Sequence, residues 1–574
     1  MSKITPNGQV YTTQKALEEE KQLILNTRKG KGAFTPIAEN YQCKNDLLTA
    51  EQKKAVQHAL KSKDFVSIIT GGAGTGKTWS IKEVAQGVKE QGLAFLAFAP
   101  SASASRGVQR ADGFSNATTI AELLQSKKLQ EQSKNGVIWI DEAGMVGNST
   151  MNQIMEVAKT QNARILLTGD ARQHGAVERG DALRIMQKYG GLEPAYISKI
   201  QRQKGSDYKQ AVKQISDGNI AKGYQALDAM GAIKENEDIG LQLKDLSKEY
   251  VRAIQSRESV LVVATTHKQG KLVTYALRNE LKEQGLLEQK GKEFTTQRNL
   301  SYTQAQKQDA NLYEKGMCVQ FIQHERGFKR GGKYEITGKD DKGNILVTAI
   351  GKDAVEKKKD LILPLNKAKK FSVYETEKLE LAKGDQIRIT QNGFSLGRSA
   401  KEKKRLNNGK LLEVKGFDEK GNILASTGKM ELVLDKSYGN FTHGYYTTSP
   451  ASQGKSVNRV LIVQNAASGR ASNQEQFYVS ASRGKFAISI YTDDKSNLLG
   501  NIQRSSARLT ALEIAPSKAP QKAPTKNKLQ TINQIAKVGL STVSSAWKKT
   551  KSMLDFSSKP VAKTPVKYAP VKGK

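Results

Sequence analysis

The chain has 574 residues, 37% of them hydrophobic, so several domains with well-filled cores are expected. Ninety-two Lys and Arg stand against 56 Asp and Glu, a net charge of +36, which points to a polyanionic partner because each phosphate neutralised releases condensed counterions. Only Cys43 and Cys318 occur and no apolar run reaches the length of a membrane span, which excludes disulfide-stapled, thiolate-zinc and helix-spanning classes; the polar start MSKITPNGQ has no apolar signal region, and a cytoplasmic location is expected.

In chain order, Thr13 to Leu25 reads as a helix within an N-terminal helical extension over 1–45. Over 46–200, strand-like runs alternate with helical stretches, the pattern of a parallel sheet covered by helices. The runs are Val66 to Thr70, Leu93 to Ala97, Val137 to Ile140 and Ile165 to Thr168. A second set, Val260 to Ala264, Val460 to Val463 and Ile488 to Tyr491, predicts another α/β unit in two parts, 201–300 and 441–500. Between them, over 301–440, lies an internal repeat. KGMCVQF followed by GGKYEITGKDDKGNIL resembles KGDQIRI followed by NGKLLEVKGFDEKGNIL, and both read as small β-barrels. The second copy carries the basic run Lys401, Lys403, Lys404 and Arg405, a candidate nucleic-acid contact or a solvated loop. Residues 515–574 hold six of the twelve prolines, thirteen lysines and one acid, Asp555, so a disordered basic tail is expected, with Leu529 to Phe556 able to form an amphipathic helix on a partner or membrane surface.

The first strand runs into GGAGTGKT, which fits the phosphate-binding pattern G-x-x-x-x-G-K-[ST]. Glycines at Gly71, Gly74 and Gly76 let backbone N–H groups curl round phosphate oxygens, and the following helix adds its positive end. Lys77 then reaches the β and γ phosphates of a nucleoside triphosphate, and Thr78 its Mg2+. In VIWIDEAG, Asp141 and Glu142 follow a buried strand, where Asp141 would hold Mg2+ through water and Glu142 would act as general base on the attacking water. LLTGDARQHG brings Gln173 to the same carboxyl edge, suited to sense the γ-phosphate. Arg202 and Arg483 are candidate arginine fingers.

The ordered series LTAEQKKAV, GGAGTGKT, FAPSASA, DEAG, GDARQ, IQRQ, FTHGYYTTSPASQGKS and YVSASRGK resembles superfamily 1 DNA helicases of the RecD-like branch, most closely the helicase part of conjugative relaxase-helicases, from about Tyr11 to Leu498. The resemblance implies an α/β fold of two RecA-like domains with SH3-like insertions in the second. It also implies an ATP- and Mg2+-dependent motor that moves 5′ to 3′ on single-stranded and forked DNA, with a relaxase or type IV coupling protein as a further partner. By it, Gln52 would read adenine, and Gln453 and Gly454 would approach the nucleotide or couple it to DNA. Single-strand contacts would come from Ser101, Thr118, Thr119, Thr447, Thr448 and Ser452. His174 and Pro450 depart from the family pattern. Phe98, Tyr445 and Tyr446 are candidates to stack on bases, with core packing as the alternative. The five histidines are scattered singly, so the chain is expected to be the motor without the nickase, separately encoded or separated from a longer protein. A non-motor DNA-binding accessory protein, a RecD-like repair helicase and a phosphate-loop transferase are the rival readings.

Overall fold

The computed structural model describes residues 1–5, 8–350, 360–397, 399, 402–428 and 430–515. The expected tail from residue 516, its patch Leu529 to Phe556, and Lys401 of the basic run lie outside them. Among the described residues no helix is long and apolar enough to cross a membrane.

The first domain is a six-stranded sheet in the order Thr118–Thr119, Phe95–Ala99, Val137–Ile140, Arg164–Gly169, Val66–Gly71, Ala195–Ile197. Every pairing is parallel, with Val66 opposite Ile165 and Ile140 opposite Leu167. Parallel strands covered on both faces must be apolar throughout, and VIWI and FLAFA are buried at every position. One face packs Ile138, Ile140, Met151 and Leu183, the other Val56, Ile81, Val88 and Trp139. The carboxyl ends of Val66–Gly71, Val137–Ile140 and Arg164–Gly169 thereby share one edge.

The second domain is a five-stranded parallel sheet in the order Tyr446–Thr447, Val260–Ala264, Val457–Val463, Gly484–Thr492, Ile233–Glu235. Its strands are drawn from both sides of the insertion. Glu249, on the helix Ile239–Gln255, joins three of them: it accepts from Lys234 Nζ at 2.6 Å, Tyr491 Oη and Ser489 Oγ at 2.7 Å, and Arg459 Nη1 at 2.9 Å. Burial alone would raise this carboxyl, but the bonds from Lys234, Tyr491 and Ser489 hold it down at about 2. A depressed carboxyl contributes stability above its unfolded value of 4.5 and loses it as pH falls toward about 2. Glu249→Gln is therefore expected to destabilise the second domain by about 2 kcal/mol at neutral pH, after allowing for partial solvent contact, and by progressively less in acid. Thermal unfolding of both proteins at several pH values checks this, and a pH-independent difference would contradict it.

Among the described residues the insertion forms two larger antiparallel sheets and the two-stranded ribbon of Gly393–Phe394 with Arg405–Leu406. The first runs Lys292–Asn299, Phe371–Leu381, Cys318–Phe321, Lys333–Lys339, Ile345–Ile350, Leu361–Ile362; the second runs Glu431–Leu434, Ile423–Ser426, Leu411–Phe417, Gln386–Ile389, Phe441–His443. The repeat is visible in geometry. Each unit has a bulge in its long strand, at Ile336/Gly338 and Val414/Gly416, and each closes a turn on an aspartate. Asp340 accepts from Asn344 N at 2.8 Å, and Asp418 from Asn422 N at 2.7 Å. The insertion begins earlier than residue 301, because the polar strand Lys292–Asn299 pairs along its whole length with Phe371–Leu381, and it ends past 440 with Phe441–His443.

The N-terminal helix spans Gln14–Lys29, longer than Thr13 to Leu25, with Thr13 as its cap. It packs on the first domain and receives the far end of the described chain. The short helix Ala511–Ile514 rests Ala511 against Ala16 and Leu17, donates the Ala511 and Leu512 amides to Glu20, and sets Glu513 beside Arg184 and Lys188. The chain thus returns from the second domain to the first.

Candidate active site

The phosphate loop leaves its strand at Gly71 and enters the helix Lys77–Glu90 through Gly74 (φ 77°) and Gly76 (φ 82°), left-handed positions that favour glycine. Lys77 Nζ donates to the carbonyls of Gly71 at 2.7 Å and Gly72 at 3.1 Å, so the ammonium is held inside the loop it serves. Gln52 is buried in a capping box with Thr49, and its Nε2 donates to Thr75 O and Gly76 O at 3.1 and 3.2 Å. Its carboxamide braces the loop, a different arrangement from the adenine contact expected of it.

Asp141 and Glu142 emerge where Val137–Ile140 ends. Asp141 Oδ1 accepts from Thr168 Oγ1 at 2.7 Å and from Glu142 N at 3.0 Å, and Thr168 in turn accepts from Trp139 Nε1 at 2.9 Å. Desolvation, with the adjacent Glu142 carboxylate second, pushes the Asp141 carboxyl up from its ordinary value, a shift that a bound cation would reverse. Glu142 sits in left-handed backbone (φ 51°, ψ 42°), uncommon for a residue with a Cβ. Its Oε2 accepts from Gln453 Nε2 of the second domain at 2.8 Å. Among the described residues no three His, Cys, Asp or Glu side chains converge as a metal cage. A hydroxyl at Thr78 and a carboxylate at Asp141 are the donor set that suits Mg2+ shared with nucleotide phosphates.

Two guanidinium groups meet this edge. Arg202 backs onto the loop, its amide donating to Gly74 O at 3.1 Å and its Nη1 to Ser482 O at 2.8 Å. Arg483 is buried and donates to Val479 O at 2.7 Å, Lys455 O at 3.3 Å and Ser482 Oγ at 2.7 Å, all neutral acceptors. Burial, and then Arg202, pull it down to about 9. A buried cation held by neutral oxygens favours an incoming anion. Gln173 is buried on the turn after Arg164–Gly169, its amide bonded to Asp170 O at 3.2 Å. The structure therefore brings Lys77, Asp141, Glu142, Arg202, Arg483 and Gln453 around one loop, with Gln173 on the turn that Asp170 opens and Gly454 at the turn after Gln453 (φ 79°).

The expected DNA set divides. Ser101 is exposed, and Thr448 and Thr119 are half-buried. Thr118, Thr447 and Ser452 are buried, their hydroxyls bonded to Glu122 Oε2 (2.5 Å), Thr448 O (3.5 Å) and Ser449 O (2.7 Å). The Thr118 hydroxyl is taken up by the Arg106–Glu122 pair, that of Ser452 by the turn Ser449–Ser452, and that of Thr447 by the neighbouring carbonyl. Of the aromatics, Phe98 belongs to the core and Tyr445 is buried against Asp385, to which its hydroxyl donates at 2.8 Å; neither is open to a base. Tyr446 is half-buried, its ring beside Arg388 and its hydroxyl 3.0 Å from His267 Nδ1. His174 Nε2 lies 2.8 Å from Ser449 Oγ across the domain boundary. Ser449 donates to Gln476 O at 3.0 Å, so Nε2 carries the proton, and burial pulls His174 down to about 4, a neutral imidazole. Pro450 occupies the first turn of its short helix, where no N–H is needed.

A phosphate loop, a paired acidic turn, a buried Arg483 and a half-buried Arg202 at one edge of a parallel sheet define a P-loop nucleotide-binding protein. In agreement, residues 47–238 match the AAA domain family. A conjugal transfer protein TraA of Rhizobium radiobacter is 22% identical over 500 residues, covering 85% of this chain and 37% of that protein. The multifunctional conjugation protein TraI of Escherichia coli is 21% identical over 555 residues, covering 89% of this chain and 31% of that one. The chain spans only about a third of the length of these relatives. A crystal structure of Bacteroides Pif1 bound to single-stranded DNA superposes with a TM-score of 0.39 at 15% identity, over 79% of this chain and 94% of that one. The relatives found are conjugal transfer and conjugation proteins, in line with the resemblance carried by the ordered motifs.

Sequence reasoning missed Tyr478, whose hydroxyl lies against the loop at Ala73. A tyrosine in the string FYVSA carries no signal that separates it from core.

Proposed function

We propose that the chain is an ATP-driven motor that hydrolyses ATP between its two parallel sheets, moves 5′ to 3′ along single-stranded DNA and opens forked duplexes during conjugative transfer. The observation that carries this reading is that both domains serve one phosphate loop, Lys77, Asp141 and Glu142 from the first and Gln453 and Arg483 from the second. With ATP in place, Lys77 would exchange its loop carbonyls for phosphate oxygens. Arg202 and Arg483 would gain the anion they lack, which draws the domains together. Glu142 would take a proton from the attacking water, released from or guided by Gln453. Thr78 and Asp141 would hold Mg2+, which supplies charge neutralisation on the phosphates. Loss of the γ-phosphate then lets the cleft relax, and repeated closure moves the strand.

Single-strand contacts fall to the accessible members of the expected set, Ser101, Thr119 and Thr448. Lys403, Lys404 and Arg405 would join them from the ribbon of Gly393–Phe394 with Arg405–Leu406, beside the larger inserted sheets, which we read as SH3-like barrels. A relaxase or type IV coupling protein is the proposed protein partner, and the site of action is the cytoplasm. The test is ATP hydrolysis titrated with single-stranded DNA, followed by strand displacement from forks with a 5′ or a 3′ tail. Stimulated hydrolysis with displacement from the 5′ tail is expected. Binding without hydrolysis would favour a non-motor accessory protein, and displacement from the 3′ tail would overturn the polarity alone.

A further inference from the structure

Tyr478 lies on the helix Gln474–Ala481 of the second domain, fully buried, five residues before Arg483. Its hydroxyl touches three groups. Ala73 N of the phosphate loop is at 2.7 Å, Asp170 Oδ2 at 2.9 Å, and Ser216 Oγ, at the end of the helix Ser206–Ser216, at 3.2 Å. The directions of these bonds follow from valence. An amide N–H only donates and a carboxylate only accepts, so the phenol takes the Ala73 proton and gives its own to Asp170, leaving its second lone pair for Ser216. The hydroxyl is saturated.

Each partner leads to the chemistry by a different route. Ala73 stands between Gly72 and Gly74 in the loop that cradles phosphate, and a Cβ built on Gly72 would come within 2.8 Å of Ser216 Oγ and 3.0 Å of Tyr478 Oη. Asp170 opens the turn that carries Gln173, holding it through the Gln173 amide, and its other carboxylate oxygen accepts from Arg172 N at 3.0 Å. The helix bearing Tyr478 continues directly into Ser482 and Arg483, and Arg483 Nε is bonded to Val479 O of that helix. A change in the loop or in the Gln173 turn therefore has a path to the arginine through this oxygen, beside the path from Gly74 O through Arg202 to Ser482 O, which does not touch the Gln173 turn. Apolar packing alone would not do this, since a ring without the hydroxyl makes no directional bond to either element.

We infer that Tyr478 is the positioning residue that links the phosphate state of the loop to the second domain, reading Ala73 and Asp170 together and setting Arg483. This inference rests on the ATP-driven motor reading above. It goes beyond it in assigning the linkage to a single hydroxyl rather than to closure of the cleft as a whole.

Tyr478→Phe keeps the ring and removes the hydroxyl. Base pairs displaced per ATP hydrolysed should fall about ten-fold, the usual range for the coupling of two sites, while the KM for ATP stays within about two-fold of the unmodified value. Ser216→Ala leaves both essential bonds in place and should keep the unmodified ratio. Hydrogen exchange of the peptide containing Ala73 gives a readout without turnover. In the unmodified protein it should differ between ADP and a non-hydrolysable ATP analogue, and in Tyr478→Phe the difference should vanish. Should Tyr478→Phe fail to fold, Asp170→Asn, which retains an acceptor but not the charge, should lower the ratio in the same direction. An unchanged ratio in whichever variant folds, or an exchange difference that survives the loss of the hydroxyl, overturns the inference. Absence of DNA-stimulated hydrolysis in the unmodified protein would instead overturn the motor reading.

Discussion

Lys77→Ala is expected to abolish DNA-stimulated ATP hydrolysis, with turnover falling at least about 10³-fold, and to weaken nucleotide binding as well. The ammonium is the one cation that the phosphate loop itself contributes, and it already lies within the loop, bonded to Gly71 and Gly72. Removing it costs a charged donor aimed at the developing charge, an effect worth roughly 10² to 10³ on its own. It also frees two loop carbonyls that the side chain had gathered. Phosphate release and equilibrium binding of a fluorescent ATP analogue measure the two effects. Turnover near the unmodified rate would mean that hydrolysis takes place elsewhere in the chain.

Glu142→Gln should behave differently. The amide is isosteric, so the left-handed turn and the contact with Gln453 can persist, with the new carboxamide oxygen accepting from Gln453 Nε2. What is lost is the proton acceptor, which for general-base catalysis costs about 10² to 10⁴ in turnover. Nucleotide affinity should stay close to normal, and a nucleotide-bound, hydrolysis-dead protein should hold single-stranded DNA stably. The contrast between the two variants separates phosphate binding from water activation. If Glu142→Gln hydrolysed ATP at the unmodified rate, the base would have to be another group.

The two parallel sheets were legible because buried parallel strands are apolar runs and their carboxyl ends carry ordered motifs. Val137–Ile140 and Val260–Ala264 fall where the sequence places them. Lys292–Asn299 was not legible: KEFTTQRN has few apolar residues, and its pairing with a strand some eighty residues later is a tertiary fact. The same limit applies to side chains. A threonine in a DNA-motif string reads identically whether its hydroxyl faces a strand of DNA or, as at Thr118, an internal carboxylate. Phe98 and Tyr478 were equally silent, because burial decides one and a cross-domain contact the other. Charge was legible at Arg483, but not that its nearest acceptors are all neutral.

The return of residues 511–514 to the N-terminal helix has a mechanical meaning. The two domains are joined by a covalent crossing near residues 198–205 and again by segment 503–510, so the cleft between them resembles a caliper with a stop. Eight residues fully extended reach about 28 Å, and that contour length bounds how far the jaws can part while Glu20 keeps hold of Ala511 and Leu512. A single proteolytic cut in either crossing leaves the other to keep the jaws in register.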